Sequence, residues 1–174
     1  ARIVTVGAGV QDVFLSQSAA LRPVCESPEH CFARLELGAK ADVNQIHFST
    51  GGGATNAAVT FARQGHEVCF MGVLGHDLAG QTVLDDLDKE GIDTRLVKFS
   101  DNYNTGYSVL LLAPNGERTI LTYRGASTHY HLVDFSLEGV EADWLYVSTL
   151  SGQMSILDKL FRQATERGIK ICFN

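Results

Sequence analysis

A chain of 174 residues, 45% hydrophobic and 20% charged, suffices for one packed domain and is too balanced for a disordered or fibrous one. Its net charge of −6 argues against nucleic acid as the main partner, because such sites carry a basic excess. No apolar run approaches the ~20 residues needed to span a bilayer, and Ala1-Arg2-Ile3-Val4-Thr5-Val6 enters a strand pattern rather than a signal peptide. No membrane partner and a cytoplasmic location are therefore expected.

Residues 3–8 read as a buried strand ending at Gly7-Ala8-Gly9. The opening suggests a dinucleotide fingerprint, but Asp12 stands where the third glycine belongs. Val13-Phe14-Leu15 continues as strand instead of turning into a helix, so the fingerprint fails. Residues 16–29 are loop-like, with Pro23 and Pro28, while 32–37 and 43–48 alternate as short, half-exposed strands. The four cysteines show neither metal nor disulfide spacing. Cys25 and Cys31 flank a loop, Cys69 and Cys172 sit in apolar strands, and reduced thiols are the expectation.

Residues 48–94 organise the chain. Three glycines, Gly51-Gly52-Gly53, lead into a helix over 53–64 with an apolar stripe at Ala54, Ala57, Ala58, Phe61 and Ala62. Such a start lets backbone N–H groups approach a ligand closely at the positive end of a helix dipole. Asn56, one turn in, adds a side-chain donor and acceptor. A strand over 67–74 precedes Gly75-His76-Asp77 and a second helix over 78–90, with Leu78, Val83, Leu84 and Leu87 on one face. Its acidic residues, Asp85, Asp86, Asp88 and Glu90, read as a solvated face rather than a metal site.

Residues 107–113 and 118–123 are β-rich and joined through Pro114-Asn115-Gly116-Glu117, a hairpin signal. Residues 144–149 are another buried strand. A third helix is expected to open at Ser155, with Asp158 as a capping-box variant, before a strand over 169–173. Gly65, Gly91 and Gly168 each close a helix and hand over to a strand. This alternation predicts an α/β fold with a largely parallel sheet flanked by helices, plus a small accessory β-sheet.

Gly51-Gly52-Gly53-Ala54-Thr55-Asn56-Ala57-Ala58, Ala62-Arg63-Gln64-Gly65 and Met71-Gly72-Val73-Leu74-Gly75-His76-Asp77-Leu78-Ala79-Gly80 resemble the first signature of the ribokinase-like (PfkB) carbohydrate kinases. Leu87-Asp88-Lys89-Glu90-Gly91-Ile92-Asp93-Thr94, and Thr105-Gly106 leading to the Asn115-Gly116-Glu117-Arg118 turn, continue the likeness in order. The resemblance implies ATP-dependent phosphorylation of a sugar hydroxyl. It assigns sugar binding to Asp12, Gly51, Gly52 and Asn56, and to a loop at Arg124, Gly125 and Ala126. A carboxylate suits adjacent hydroxyls because its two oxygens accept from neighbouring O–H groups.

The resemblance also implies ATP with Mg2+, admits a monovalent cation, and makes the strands of about 12–49 and 103–124 a lid that can pair two copies into a homodimer. One departure stands out. The family's second signature, Asp-Thr-x-Gly-Ala-Gly-Asp, supplies the general base and the anion hole, and residues 1–174 contain nothing like it. No catalytic or metal residue is therefore expected here, and the 174-residue chain alone is expected to be inactive. An α/β domain stopping after the strand 169–173 would leave an open sheet edge, so the chain reads as the N-terminal part of a longer sugar kinase. A non-catalytic sugar-binding module, or a nucleoside kinase of the same family, are the other readings.

Overall fold

The computed structural model describes all 174 residues. Strands β1 (Arg2–Val6), β2 (Val10–Ser16), β3 (Val24–Ser27), β4 (His30–Phe32) and β5 (Gln45–Gly51) precede helix α1 (Gly53–Arg63). Then come β6 (Glu67–Met71), β7 (Val73–Gly75), α2 (Leu78–Lys89), β8 (Lys98–Ser100), β9 (Gly106–Leu112) and β10 (Arg118–Tyr123). Strand β11 (Trp144–Val147), helix α3 (Met154–Glu166) and β12 (Lys170–Phe173) complete the chain. No helix is long and apolar enough to cross a membrane.

The chain divides into two units, one of Ala1–Gln11, Thr50–Tyr107 and Arg124–Asn174, the other of Asp12–Ser49 and Ser108–Tyr123. In the first unit a sheet runs in the order β12-β11-β1-β6, and every pair is parallel. Parallel neighbours need long crossovers, and α1 and α3 supply them. Successive side chains of a strand point to opposite faces. Val4 and Val6 join Met71, Leu145 and Val147 in a core with Ile156, Leu157, Leu160 and Ala164 of α3. Val68 and Phe70 join Ala54 and Ala58 of α1 and Val83 and Leu87 of α2 in a second core. The outcome is helices over apolar strands, as the alternating pattern predicts.

All three helices end alike. The N–H groups of Gly65, Gly91 and Gly168 bond the carbonyls of Ala62, Asp88 and Thr165, and those of His66, Ile92 and Ile169 reach Phe61, Leu87 and Ala164. This paired pattern needs a left-handed residue at each helix end, and the three glycines have φ of 83°, 69° and 67°.

In the second unit, β10, β9, β2 and β5 are hydrogen-bonded in that order. The β9–β10 connection is a three-residue loop: Ala113 N donates to Glu117 O at 2.9 Å and Gly116 N to Ala113 O at 3.0 Å. Pro114 and Asn115 take the corner positions and Gly116, at φ 89°, takes the left-handed one. The hairpin is the expected one, though Asn115-Gly116 is not its two-residue tip.

Five local expectations are corrected. The loop-like stretch 16–29 contains β3, which pairs antiparallel with β4 and sets Cys25 directly across from Cys31. These two sulfurs form a disulfide, so only Cys69 and Cys172 are free. The ribbon escaped notice because both strands are short and exposed, leaving no apolar alternation to read. The alternation read at 32–37 misleads in the other direction: the strand stops at Phe32, and residues 33–37 are exposed and outside any strand. Leu78 opens α2 one turn before the helix meets the core, and stays 87% exposed. Helix α3 starts at Met154 with Gln153 as an N-cap that makes no side-chain bond, so the Ser155–Asp158 box does not form.

Candidate functional site

Helix α1 begins in a tight place. Gly52, its N-cap, has φ 107° and makes no side-chain cap. A Cβ there would lie 2.3 Å from the carbonyl oxygen of Ala8, in the turn that follows β1. Only glycine meets both conditions. Gly7 is equally confined: at φ 144°, an added Cβ would fall 1.9 Å from Ser148 Oγ, just past β11. The buried Thr55 locks the turn by donating its hydroxyl to Gly51 O at 2.5 Å. Three segments thus converge where parallel strands end, which is where open α/β sheets place ligands.

A cleft of about 220 Å³ occupies this position in the first unit. Ala8, Ser148 and Asn174, each beyond the C-terminal end of a parallel strand, line it together with Gly53 at the start of α1. Arg124, Ser127 and Tyr130 complete another wall. The first turn of α1 contributes backbone N–H groups without an intrahelical partner, and no side chain caps them.

The candidates from the sequence fall into three groups. Gly51, Gly52 and Asn56 share one turn; Gly51 is buried and Asn56 exposed. Gly125 and Ala126 lie in a short 3-10 turn, Gly125–Thr128. Ala126 is fully buried in the α3-side core and its N–H donates to Asn104 O at 2.8 Å, so the cleft is faced by its neighbours Arg124 and Ser127. Asp12 belongs to the second unit, half-buried on β2. Burial raises its pKa from the ordinary carboxylate value, and a hydrogen bond with Ser108 partly offsets that.

Asp77, in the Gly75-His76-Asp77 part of the first-signature likeness, has a structural task. As N-cap of α2 it accepts from Gly80 N at 2.8 Å and from Thr105 N at 2.7 Å. The Thr105 hydroxyl in turn accepts from Gly75 N at 2.8 Å. Burial pulls the Asp77 pKa upward, but these N–H groups, the Thr105 hydroxyl and the nearby His76 leave it lowered overall. Asp86 also departs from the solvated face expected of it, being bonded to Thr50 Oγ1 at 2.8 Å and to Lys89 Nζ at 2.9 Å.

Ser148 and Tyr130 were missed from sequence. Ser148 could have been found by taking the residue after each parallel strand; Tyr130 belongs to no pattern. No group of three or more His, Cys, Asp or Glu residues comes together that could hold a metal ion.

Residues 23–173 match the family model described as pfkB family carbohydrate kinase. The chain belongs to the pfkB family. It is 35% identical over 98 residues to a 5-dehydro-2-deoxygluconokinase of Clostridium botulinum (strain Eklund 17B / Type B), covering 56% of this chain and 27% of that protein. To the ribokinase of Haemophilus influenzae it is 28% identical over 126 residues, 71% of this chain and 41% of the relative. The fructokinase of Xylella fastidiosa with bound ATP superposes with a TM-score of 0.75 at 21% identity, covering 99% of this chain and 50% of that one. That likeness establishes the ribokinase-like fold of this pfkB-family chain. The chain spans between a quarter and a half of the length of these proteins.

Proposed function

We propose that this chain carries the acceptor-binding part of an ATP-dependent carbohydrate kinase. The pfkB match over residues 23–173 carries the reading. The cleft supports it, with its glycine-confined walls at the C-terminal ends of parallel strands. Gly51, Gly52 and Asn56 present backbone and amide groups to sugar hydroxyls. Gly125 and Ala126 position Arg124 and Ser127. Asp12 accepts hydrogen bonds from adjacent hydroxyls. The catalytic base and the ATP–Mg2+ site, on this reading, come from residues outside these 174.

Phosphoryl transfer rests on positioning and on stabilising the charge of the transferring group. In this division of labour the chain orients the acceptor hydroxyl and does not touch the phosphoryl group. Calorimetric titration with D-ribose, D-fructose and 5-dehydro-2-deoxygluconate, with an ADP-release assay alongside, tests this. Binding of one of these without turnover by residues 1–174 is the expected result. Failure to bind any of them, or ATP-dependent phosphorylation by this chain alone, would sink the proposal.

A further inference from the structure

The lining of the cleft includes an aromatic residue with an unusual environment. Tyr130 is only 8% exposed, and its ring stands edge-on to Phe135 at 5.2 Å. Burial alone pushes its pKa up, with no hydrogen bond contributing, so the phenol keeps its proton throughout the physiological range. The polar side-chain atom sealed inside the protein without a partner is Thr5 Oγ1, not the Tyr130 hydroxyl. Tyr130 is among the residues that line the cleft. Phe would fill the same space, so the packing of the ring against Phe135 does not account for the hydroxyl. The hydroxyl is thus available to a molecule bound in the cleft.

The neighbouring groups indicate what it meets. Ser127 gives its proton to Arg124 O at 2.5 Å and Ser148 gives its own to Val6 O at 3.3 Å. With their protons so engaged, both line the cleft with hydroxyls left to accept. Arg124 and the first N–H groups of α1 present donors. Carboxylate or phosphate oxygens are acceptors only and would oppose the serine lone pairs. Neutral hydroxyls both donate and accept, and so match the mixture.

We propose that Tyr130 is a ligand-binding residue of this cleft, its hydroxyl hydrogen-bonded to a neutral hydroxyl group of a polyol acceptor. The assignment rests on the acceptor-binding reading above. Phe135 holds the ring, so the donor is pre-positioned and little side-chain entropy is lost on binding.

The test is calorimetric titration of D-ribose, D-fructose and D-gluconate into the wild-type chain and Tyr130→Phe. The wild type is expected to bind a neutral sugar, and the variant to bind it about 3–10-fold more weakly, the effect of one neutral hydrogen bond. The variant's Tm should be unchanged or higher, which a merely structural hydroxyl would not give. Equal affinity in both proteins overturns the role of Tyr130 and leaves the acceptor-site reading standing. Binding of D-gluconate alone overturns the preference for neutral hydroxyls. Absence of binding by the wild type overturns both readings together. In wild type labelled with 13C at tyrosine Cζ, the Tyr130 resonance should move on saturation with the bound sugar; a stationary resonance overturns the contact without recourse to the variant.

Discussion

The carboxylate of Asp77 holds the backbone N–H of Thr105 at 2.7 Å across 28 residues of sequence. Its other oxygen caps α2. One side chain therefore starts a helix and pins the segment that leads into β9. Asp77→Ala is expected to cost about 1–2 kcal/mol, the range of a lost N-cap, and Asp77→Asn less, because its amide oxygen still accepts one of the two bonds. Urea unfolding measures both. The folded-state pKa of Asp77 is lowered from 3.8, so its contribution is present above that value and lost as pH falls through the folded one. The gap between wild type and Asp77→Asn should shrink over that acid range and hold steady from pH 5 to 7.

Gly52 and Gly65 both have positive φ, 107° and 83°, but only Gly52 is crowded. Alanine at 65 meets nothing within 4 Å and should lose only the left-handed backbone preference, about 1–2 kcal/mol. Alanine at 52 suffers the same loss and collides with Ala8 O, so Gly52→Ala should be clearly the less stable of the pair. A sugar-binding assay on the two variants should show a loss for Gly52→Ala alone.

Asp12 is the reverse of Asp77. Its folded pKa is raised, so its favourable contribution is complete below the unfolded value and lost as pH rises through the folded one. Near neutral pH the buried charge is a burden. Asp12→Asn should therefore leave thermal stability at pH 7 unchanged or improved while abolishing sugar binding. A variant that loses stability and keeps affinity would contradict the proposed role.

Thiol reactivity should follow a fixed order. Cys172 is exposed and should react with a disulfide reagent at once in the native chain. Cys69 is buried, and burial, with Asp93 adding to it, pushes its pKa up to about 11, so it should react only on unfolding. Cys25 and Cys31 should appear only after reduction, as a mass gain of two hydrogens. Hydrogen exchange should then rise over residues 24–32 and stay unchanged in β1, β6 and β11.

The parallel core was legible because its signals are redundant. Apolar runs, helix stripes and closing glycines all agree, as at Gly65, Gly91 and Gly168. The β3–β4 ribbon was not, since strand-to-strand pairing, rather than burial, makes it. The glycines at 51–53 could be read as a ligand-facing turn from local chemistry. Their reason, the carbonyl of Ala8 pressed against Gly52, is a contact between residues 44 positions apart. The burial of Ala126 was out of reach for a like reason: it packs in the core that β11 and α3 share, which one sequence does not bring together. Tyr130 carries no motif, only an environment.

The position of β1 inside its sheet also bears on how the chain folds. Arg2–Val6 pairs on one side with Glu67–Met71 and on the other with Trp144–Val147. During synthesis at roughly 5–20 residues per second, the second partner follows the first by about 4–15 s. For that interval the first strand made has one unsatisfied edge, open to any strand that arrives earlier. Such long-separated parallel pairing slows folding and exposes the nascent chain to association. Overexpression is thus expected to test this protein's solubility before its stability.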